Sequence, residues 1–342
     1  MKVHGFLHIA IIPVTIIHLA CQSAGNKPAG SSFSIEVTDF RGKEVTLKKP
    51  AEKVICLIES ALSGIYMLQQ EDRVVGVPAS VYDENLYTYY SCLDSRILNK
   101  TLPAPGNWDF ISIEQIIGLK PDLVIIWSSQ SDAIENIEQF GIPVYAVMLY
   151  NFNDVYKEIK DFGKLFDCLE KADSLIQFTE AEMESIRADY STENSESAYF
   201  MWAQGITETS GTNSTVNELL QSAGLRNACN LAGEHVSVSI EKIYDWNPDL
   251  IVMWYNEKLD PADVINDPLL KDLKAVKEGK VYELHEVFTC DFWTLKMQFP
   301  ARLIANWAYG ENSTIESQTK LLKEMYSALY ANELVDKCEE TP

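Results

Sequence analysis

Four of the seven tryptophans stand where an α/β chain presents side chains to a ligand. Trp127, Trp202, Trp254 and Trp293 fall at or just past the ends of apolar runs that read as strands, and Trp108 lies nearby. Ligands of open α/β sheets sit beyond the carboxyl ends of the strands. The same rule selects Glu59 and Ser60 after the run Lys53–Ile58, Tyr150 after Pro143–Met148, and Tyr255 beside Trp254. Aromatic walls with a few polar groups suit a large, flat or greasy ligand. The candidate ligand-binding set is therefore Glu59, Ser60, Trp108, Trp127, Tyr150, Trp202, Trp254, Tyr255 and Trp293.

Catalytic chemistry finds little support. The chain has no GxSxG elbow, no GxxxxGK[ST] loop and no GxGxxG after a strand. Ser210-Gly211-Thr212-Asn213 is a polar loop suited to hydrogen-bonding a ligand, with little support as a phosphate cradle. Beyond residue 20 the only histidines are His235 and His285, too few and too isolated for a His-carboxylate site for a bare metal ion. No catalytic residue, no protein-held metal and no resident cofactor are expected. Basic candidates near a ligand are Arg96, Lys100, Lys296 and Arg302.

The elements that must position these residues are marked by a repeat. Ser112–Trp127 reads SIEQIIGLKPDLVIIW and Ser239–Trp254 reads SIEKIYDWNPDLIVMW; eight of sixteen positions are identical at an offset of 127 residues. Each copy predicts a helix opened by a Ser N-cap, stopped by Pro121 or Pro248, then a strand buried on both faces as in a parallel sheet. Two similar α/β lobes follow from this. A hairpin is expected around Arg41-Gly42-Lys43, strands at 53–58 and 74–77, and an aromatic loop at Tyr82–Tyr90. Between the copies, Asp154–Tyr190 carries apolar residues at three- and four-residue steps without proline. It reads as one long helix of about 35 residues, broken at most once, with a helical hairpin as the alternative. The fold expected is α/β, with two Rossmann-like lobes on central parallel sheets joined by one long α-helix.

Residues 1–20 combine Lys2, an uncharged stretch and a small residue before Cys21, the pattern of a secretory signal. The ensuing organisation is a signal peptide at 1–20, a flexible tether at 21–32, an N-terminal lobe at 33–152, an interlobe helix at 153–191 and a C-terminal lobe with terminal helices at 192–342. Without residues 1–20 the chain holds 27 basic and 50 acidic residues, a net charge of −23. Such a surface argues against nucleic acid, whose phosphates require Lys and Arg. Export permits disulfides, but the six cysteines after Cys21 show no CxxC pair and no pairing is assigned.

The assembled chain resembles the substrate-binding proteins of ABC importers for iron–siderophore, haem and vitamin B12 complexes, the class III periplasmic binding proteins. The likeness is carried by DFRGKEVTLKKP (Asp39–Pro50), VICL (Val54–Leu57), RVVGV (Arg73–Val77), LKPDLVI (Leu119–Ile125), GIPV (Gly141–Val144), NELLQSAGL (Asn217–Leu225), PDLIV (Pro248–Val252) and GKVY (Gly279–Tyr282). It implies a ligand held between lobes that move little, and delivery to a membrane permease with a cytoplasmic ATPase. Cys21 after Leu19-Ala20 resembles a bacterial lipoprotein site, which implies lipid tethering on the periplasmic or cell-envelope side; His18 departs from that pattern. The resemblance also gives Glu114 and Glu241, equivalent in the repeat, the role of meeting arginines on the permease, one from each lobe. A monomer that captures a metal chelate containing iron or cobalt is expected. The alternatives are a binding protein for a metal oxyanion, or a two-lobed enzyme of the nucleotide-sugar type.

Overall fold

A computed structural model describes residues 34–190, 195–310 and 314–330. The proposed signal, tether and lipidation residue Cys21 lie outside the described residues. The chain begins as a hairpin of β1 (Ile35–Thr38) and β2 (Glu44–Leu47), turned by Gly42 at φ 77°. Asp39 holds that turn by accepting from the backbone N–H groups of Arg41 and Lys43 at 2.9 and 3.0 Å.

The first sheet has β3 (Val54–Cys56), β4 (Val74–Gly76), β5 (Leu123–Trp127) and β6 (Val144–Val147), parallel throughout in the order β4-β3-β5-β6. The second half contains β7 (Ser197–Met201), β8 (Glu208–Thr209), β9 (Arg226–Asn227), β10 (Val236–Ser237), β11 (Leu250–Met253) and β12 (Val281–Glu283). Of these, β12-β11-β7-β9 form the second parallel sheet, and β8 pairs with β10. Aligning β5 with β11, as the repeat requires, makes the two strand orders identical. The strands β3, β5, β6, β7 and β11 are almost entirely buried, even β6 at the edge of its sheet, as expected for apolar runs covered by helices.

Helices α1 (Glu59–Met67), α2 (Glu84–Leu93), α3 (Ser95–Leu98), α4 (Ile113–Leu119) and α5 (Ser131–Gln139) flank the first sheet. They are followed by α6 (Phe152–Leu165) and α7 (Leu169–Tyr190), then α8 (Thr215–Ser222), α9 (Ile240–Trp246), α10 (Pro261–Asn266), α11 (Lys274–Lys277), α12 (Val287–Cys290), α13 (Gln298–Tyr309) and α14 (Ile315–Leu329). The Tyr82–Tyr90 stretch, read as a loop, is mostly helical as α2. Its spacing packs Tyr90 into the core while Asp94 caps the helix that follows.

The repeat recurs as structure. Ser112 and Ser239 both cap their helices, accepting from the N–H of Gln115 and Lys242. Lys120 and Asn247 both adopt the left-handed conformation that closes the helix before proline, at φ 51° and 42°. The aspartates of the two Pro-Asp pairs then tie down the neighbouring strand. Asp122 accepts from the N–H of Lys53 at 3.0 Å, and Asp249 from the N–H of Ser197 at 2.7 Å.

The long helical stretch takes its alternative form, a helical hairpin. It is broken at Phe166–Cys168, where Asp167 has φ 58°, and the two pieces fold back on each other. Lys160 of α6 reaches Asp173 of α7 at 3.1 Å, and Gly163 lies so close to Ala172 that a Cβ there would stand 2.6 Å from the alanine methyl. No proline or glycine marks the break itself. The long helix joining the lobes is thus α7, 22 residues or about 33 Å.

Candidate functional site

Between the lobes lies a cavity of about 300 Å³ lined by Glu59, Ser60, Leu86, Trp127, Val287, Asp291 and Trp293. Its position follows from the topology. Glu59 and Ser60 open α1 directly after β3, and Trp127 ends β5, so both come from carboxyl ends of strands in the first sheet. Leu86 projects from α2. Val287 belongs to α12, and Asp291 and Trp293 follow it in a tight turn in which the Trp293 N–H donates to Asp291 Oδ1 at 3.0 Å. The first lobe therefore supplies one acid and one indole, and so does the second.

Four of the nine expected ligand residues meet here: Glu59, Ser60, Trp127 and Trp293. Trp202 and Trp254 are buried behind Trp293. Trp202 stacks on it with planes 2° apart, and Trp254 meets it edge-on at 6.0 Å. The Trp202 indole N–H donates to Ser210 Oγ at 3.0 Å, and His235 packs against the Trp202 ring at 4.9 Å. Trp254 does not face Trp127 across the cavity; it packs against Phe292 at 5.1 Å. Trp108 and Tyr150 lie outside the cavity, 65% and 59% exposed. Tyr150 instead borders a separate surface groove with Asn213 and Gln221. Tyr255 is half-buried and does not line the cavity.

Leu86 and Val287 carry no sequence signal of a ligand site, whereas Asp291 shares with Trp293 the segment 289–293 that the strand-end rule selects. Leu86 lies in the tyrosine-rich stretch that reads as a loop, and only as part of α2 does it point at the cavity.

The four basic candidates are all withdrawn from the cavity lining. Arg96 pairs with Asp94 at 2.7 Å, Arg302 with Asp189 at 2.8 Å, and Lys100 sits over the Tyr87 ring at 5.1 Å. Lys296 is fully buried, donates to Ser63 Oγ at 3.1 Å, and stands 3.8 Å from the centre of the Phe288 ring. Burial lowers its pKa, and Asp291 opposes that shift. Burial raises the pKa of Asp291, and the field of Lys296 pulls it back down. Below them Glu158 is buried with Oε1 unpartnered, and burial pushes its pKa up to about 8.

The lobes also touch beneath the cavity. Tyr89 of α2 stacks on Phe288 of α12 with centroids 4.5 Å apart and planes 7° apart. Tyr330, just past α14, is 2.6 Å from Ser63 Oγ of α1 through its hydroxyl.

Glu114 and Glu241 are exposed near the N-termini of α4 and α9, and neither pairs with a basic side chain among the described residues. The helix-start N–H of Glu241 itself, with the Ser239 hydroxyl, lowers the Glu241 pKa. Among the described residues no group of three or more His, Cys, Asp or Glu could hold a metal ion, and no helix is long and apolar enough to cross a membrane. Cys92 is disulfide-bonded, whereas Cys56, Cys168, Cys229 and Cys290 are free.

Two lobes of one topology, bridged by a long helix and enclosing a cavity at their strand ends, define the two-lobed binding-protein architecture. Residues 54–287 match the periplasmic binding protein family, and the chain belongs to it. It is 27% identical over 300 residues to the ABC transporter substrate-binding lipoprotein YvrC of Bacillus subtilis, covering 83% of this chain and 90% of that one. It is 25% identical over 255 residues to the vitamin B12-binding protein of Vibrio campbellii, covering 67% and 88%. The crystal structure of the Haemophilus influenzae molybdate-binding protein MolA superposes with a TM-score of 0.73 at 20% identity, over 86% of this chain and 98% of that one.

Proposed function

We propose that the protein is the lipid-anchored, non-catalytic substrate-binding component of an ABC importer. It captures a metal chelate, such as an iron–siderophore or corrinoid, in the interlobe cavity and delivers it to a permease driven by a cytoplasmic ATPase. The observation that carries the reading is the cavity itself. Trp127 and Trp293, from opposite lobes, provide apolar ring surface, while Glu59, Ser60 and Asp291 provide a small polar set, the composition expected of a small-molecule site. Relatives that bind vitamin B12 and a hydroxamate siderophore support the chelate class. In this reading residues 1–20 are a signal peptide, Cys21 carries the lipid, Glu114 and Glu241 face the permease, and the chain acts as a monomer.

Titration of the purified protein with cobalamin, haem, ferric siderophores and molybdate, followed by tryptophan fluorescence, tests the reading. A saturable quench with one metal chelate is the expected result. A response to molybdate alone favours the oxyanion reading suggested by the likeness to MolA. Radiolabelled lipid incorporation that persists in Cys21→Ala removes the anchor assignment.

A further inference from the structure

We infer that the cavity selects its chelate by charge, admitting cationic and neutral complexes and disfavouring anionic ones. The inference rests on the chelate reading and narrows it. Its basis is the distribution of charge around the cavity. Glu59 from the first lobe and Asp291 from the second are the charged residues of its lining, and both are acids. Asp291 is only 8% exposed. One of its oxygens accepts from the Trp293 N–H, and Oδ2 accepts no hydrogen bond among the described residues, which leaves an acceptor for a ligand donor.

The nearby cations do not reverse this sign. Arg96, Arg302 and Lys100 are engaged elsewhere. Lys296 is the counter-charge beneath Asp291, but it is fully buried and its ammonium is held by Ser63 and the face of Phe288. Two carboxylates and one buried ammonium leave the cavity net negative. The surrounding protein reinforces that sign, since the whole chain carries −22. Beside the Trp, Leu and Val walls of the cavity, a like charge brought to within several ångströms is repelled more strongly than in bulk water. An anionic ligand would need arginine or lysine donors to offset its lost hydration, and none lines the cavity. A complex presenting N–H donors or an ammonium to Glu59 and the free oxygen of Asp291 meets acceptors already in place.

A charge series on one scaffold tests this. A linear ferric trihydroxamate is prepared with a free ammonium tail, with that tail acetylated, and with it succinylated, giving complexes of charge +1, 0 and −1 on one metal core. Calorimetric titration of the purified protein is expected to show affinity falling roughly three- to tenfold per unit of negative charge. The gap is expected to shrink in 0.5 M salt and in Glu59→Gln. Asp291→Asn gives a second reading on the other lobe. Equal or tighter binding of the succinylated complex, or of a ferric tris-catecholate, overturns the charge inference and leaves the chelate reading standing. A gap that survives in both Glu59→Gln and Asp291→Asn also overturns it. Failure of every chelate in the series and of cobalamin to bind overturns both.

Discussion

The indoles of Trp202 and Trp293 lie parallel, 2° apart in plane, with centroids 6.0 Å apart. That separation is an offset stack, one of the preferred aromatic arrangements. It divides the labour within the cluster: Trp293 lines the cavity, and Trp202, anchored to Ser210 through its N–H, sets the angle at which Trp293 stands.

Replacing the cavity indole is therefore expected to be costly for binding. Trp293→Ala should weaken ligand affinity roughly 10- to 100-fold, as loss of a central aromatic anchor does. Trp108→Ala, on an exposed ring outside the cavity, should change it less than about twofold. Isothermal titration of both variants makes the comparison, and equal losses would contradict the assignment.

The buried acid Glu158 should impose a pH slope on stability. Its folded pKa of about 8 is raised from the ordinary 4.5 by burial. Between those values the folded state binds more protons than the unfolded one, so this group makes stability fall as pH rises from about 4.5 to about 8. Glu158→Gln should flatten that decline and raise Tm by several degrees at pH 8.5, with little change at pH 4.5. Calorimetric scans across this range check it, and an unchanged slope would show that Glu158 is charged in the fold.

Gly163 is where α6 and α7 touch. A methyl there would meet the Ala172 Cβ at 2.6 Å and the Leu169 Cα at 3.1 Å, and neither atom belongs to a flexible side chain. Gly163→Ala should cost about 1–3 kcal/mol by overpacking. Urea unfolding should show a lower midpoint at an unchanged m-value.

Charge reversal at the two repeat helices separates docking from capture. The double variant Glu114→Lys with Glu241→Lys should leave ligand affinity unchanged, because neither residue lines the cavity. It should reduce permease-dependent uptake in reconstituted vesicles by roughly tenfold or more, since misplaced like charge opposes association. Full uptake by the double variant would remove the docking role.

Much of this fold is legible in residue order, and the repeat shows why. Serine caps, proline stops and unbroken apolar runs act locally, so Ser112–Trp127 and Ser239–Trp254 disclose their helices and strands without any knowledge of neighbours. The break before α7 is different. It depends on Asp167 adopting φ 58° and on Gly163 admitting Ala172, and neither residue is a strong stop signal. The site was legible at strand ends and obscure elsewhere. Trp127 and Trp254 end equivalent strands, yet one lines the cavity and the other is buried against Phe292. What separates them is the α12–Trp293 segment, which fills the space before Trp254 and has no counterpart in the sixteen-residue repeat. Lys296 likewise looked like a ligand contact, whereas its ammonium is held by Ser63 of the opposite lobe.

Tyr330 touches Ser63 at the far end of the chain from where α7 crosses between the lobes. The lobes are thus joined at more than one place along the sequence, and stacked Tyr89 and Phe288 fill the space beneath the cavity. A clamp tied in this way has few independent motions left to freeze when it is occupied. Binding then sacrifices little conformational entropy, so a modest set of contacts suffices for tight capture.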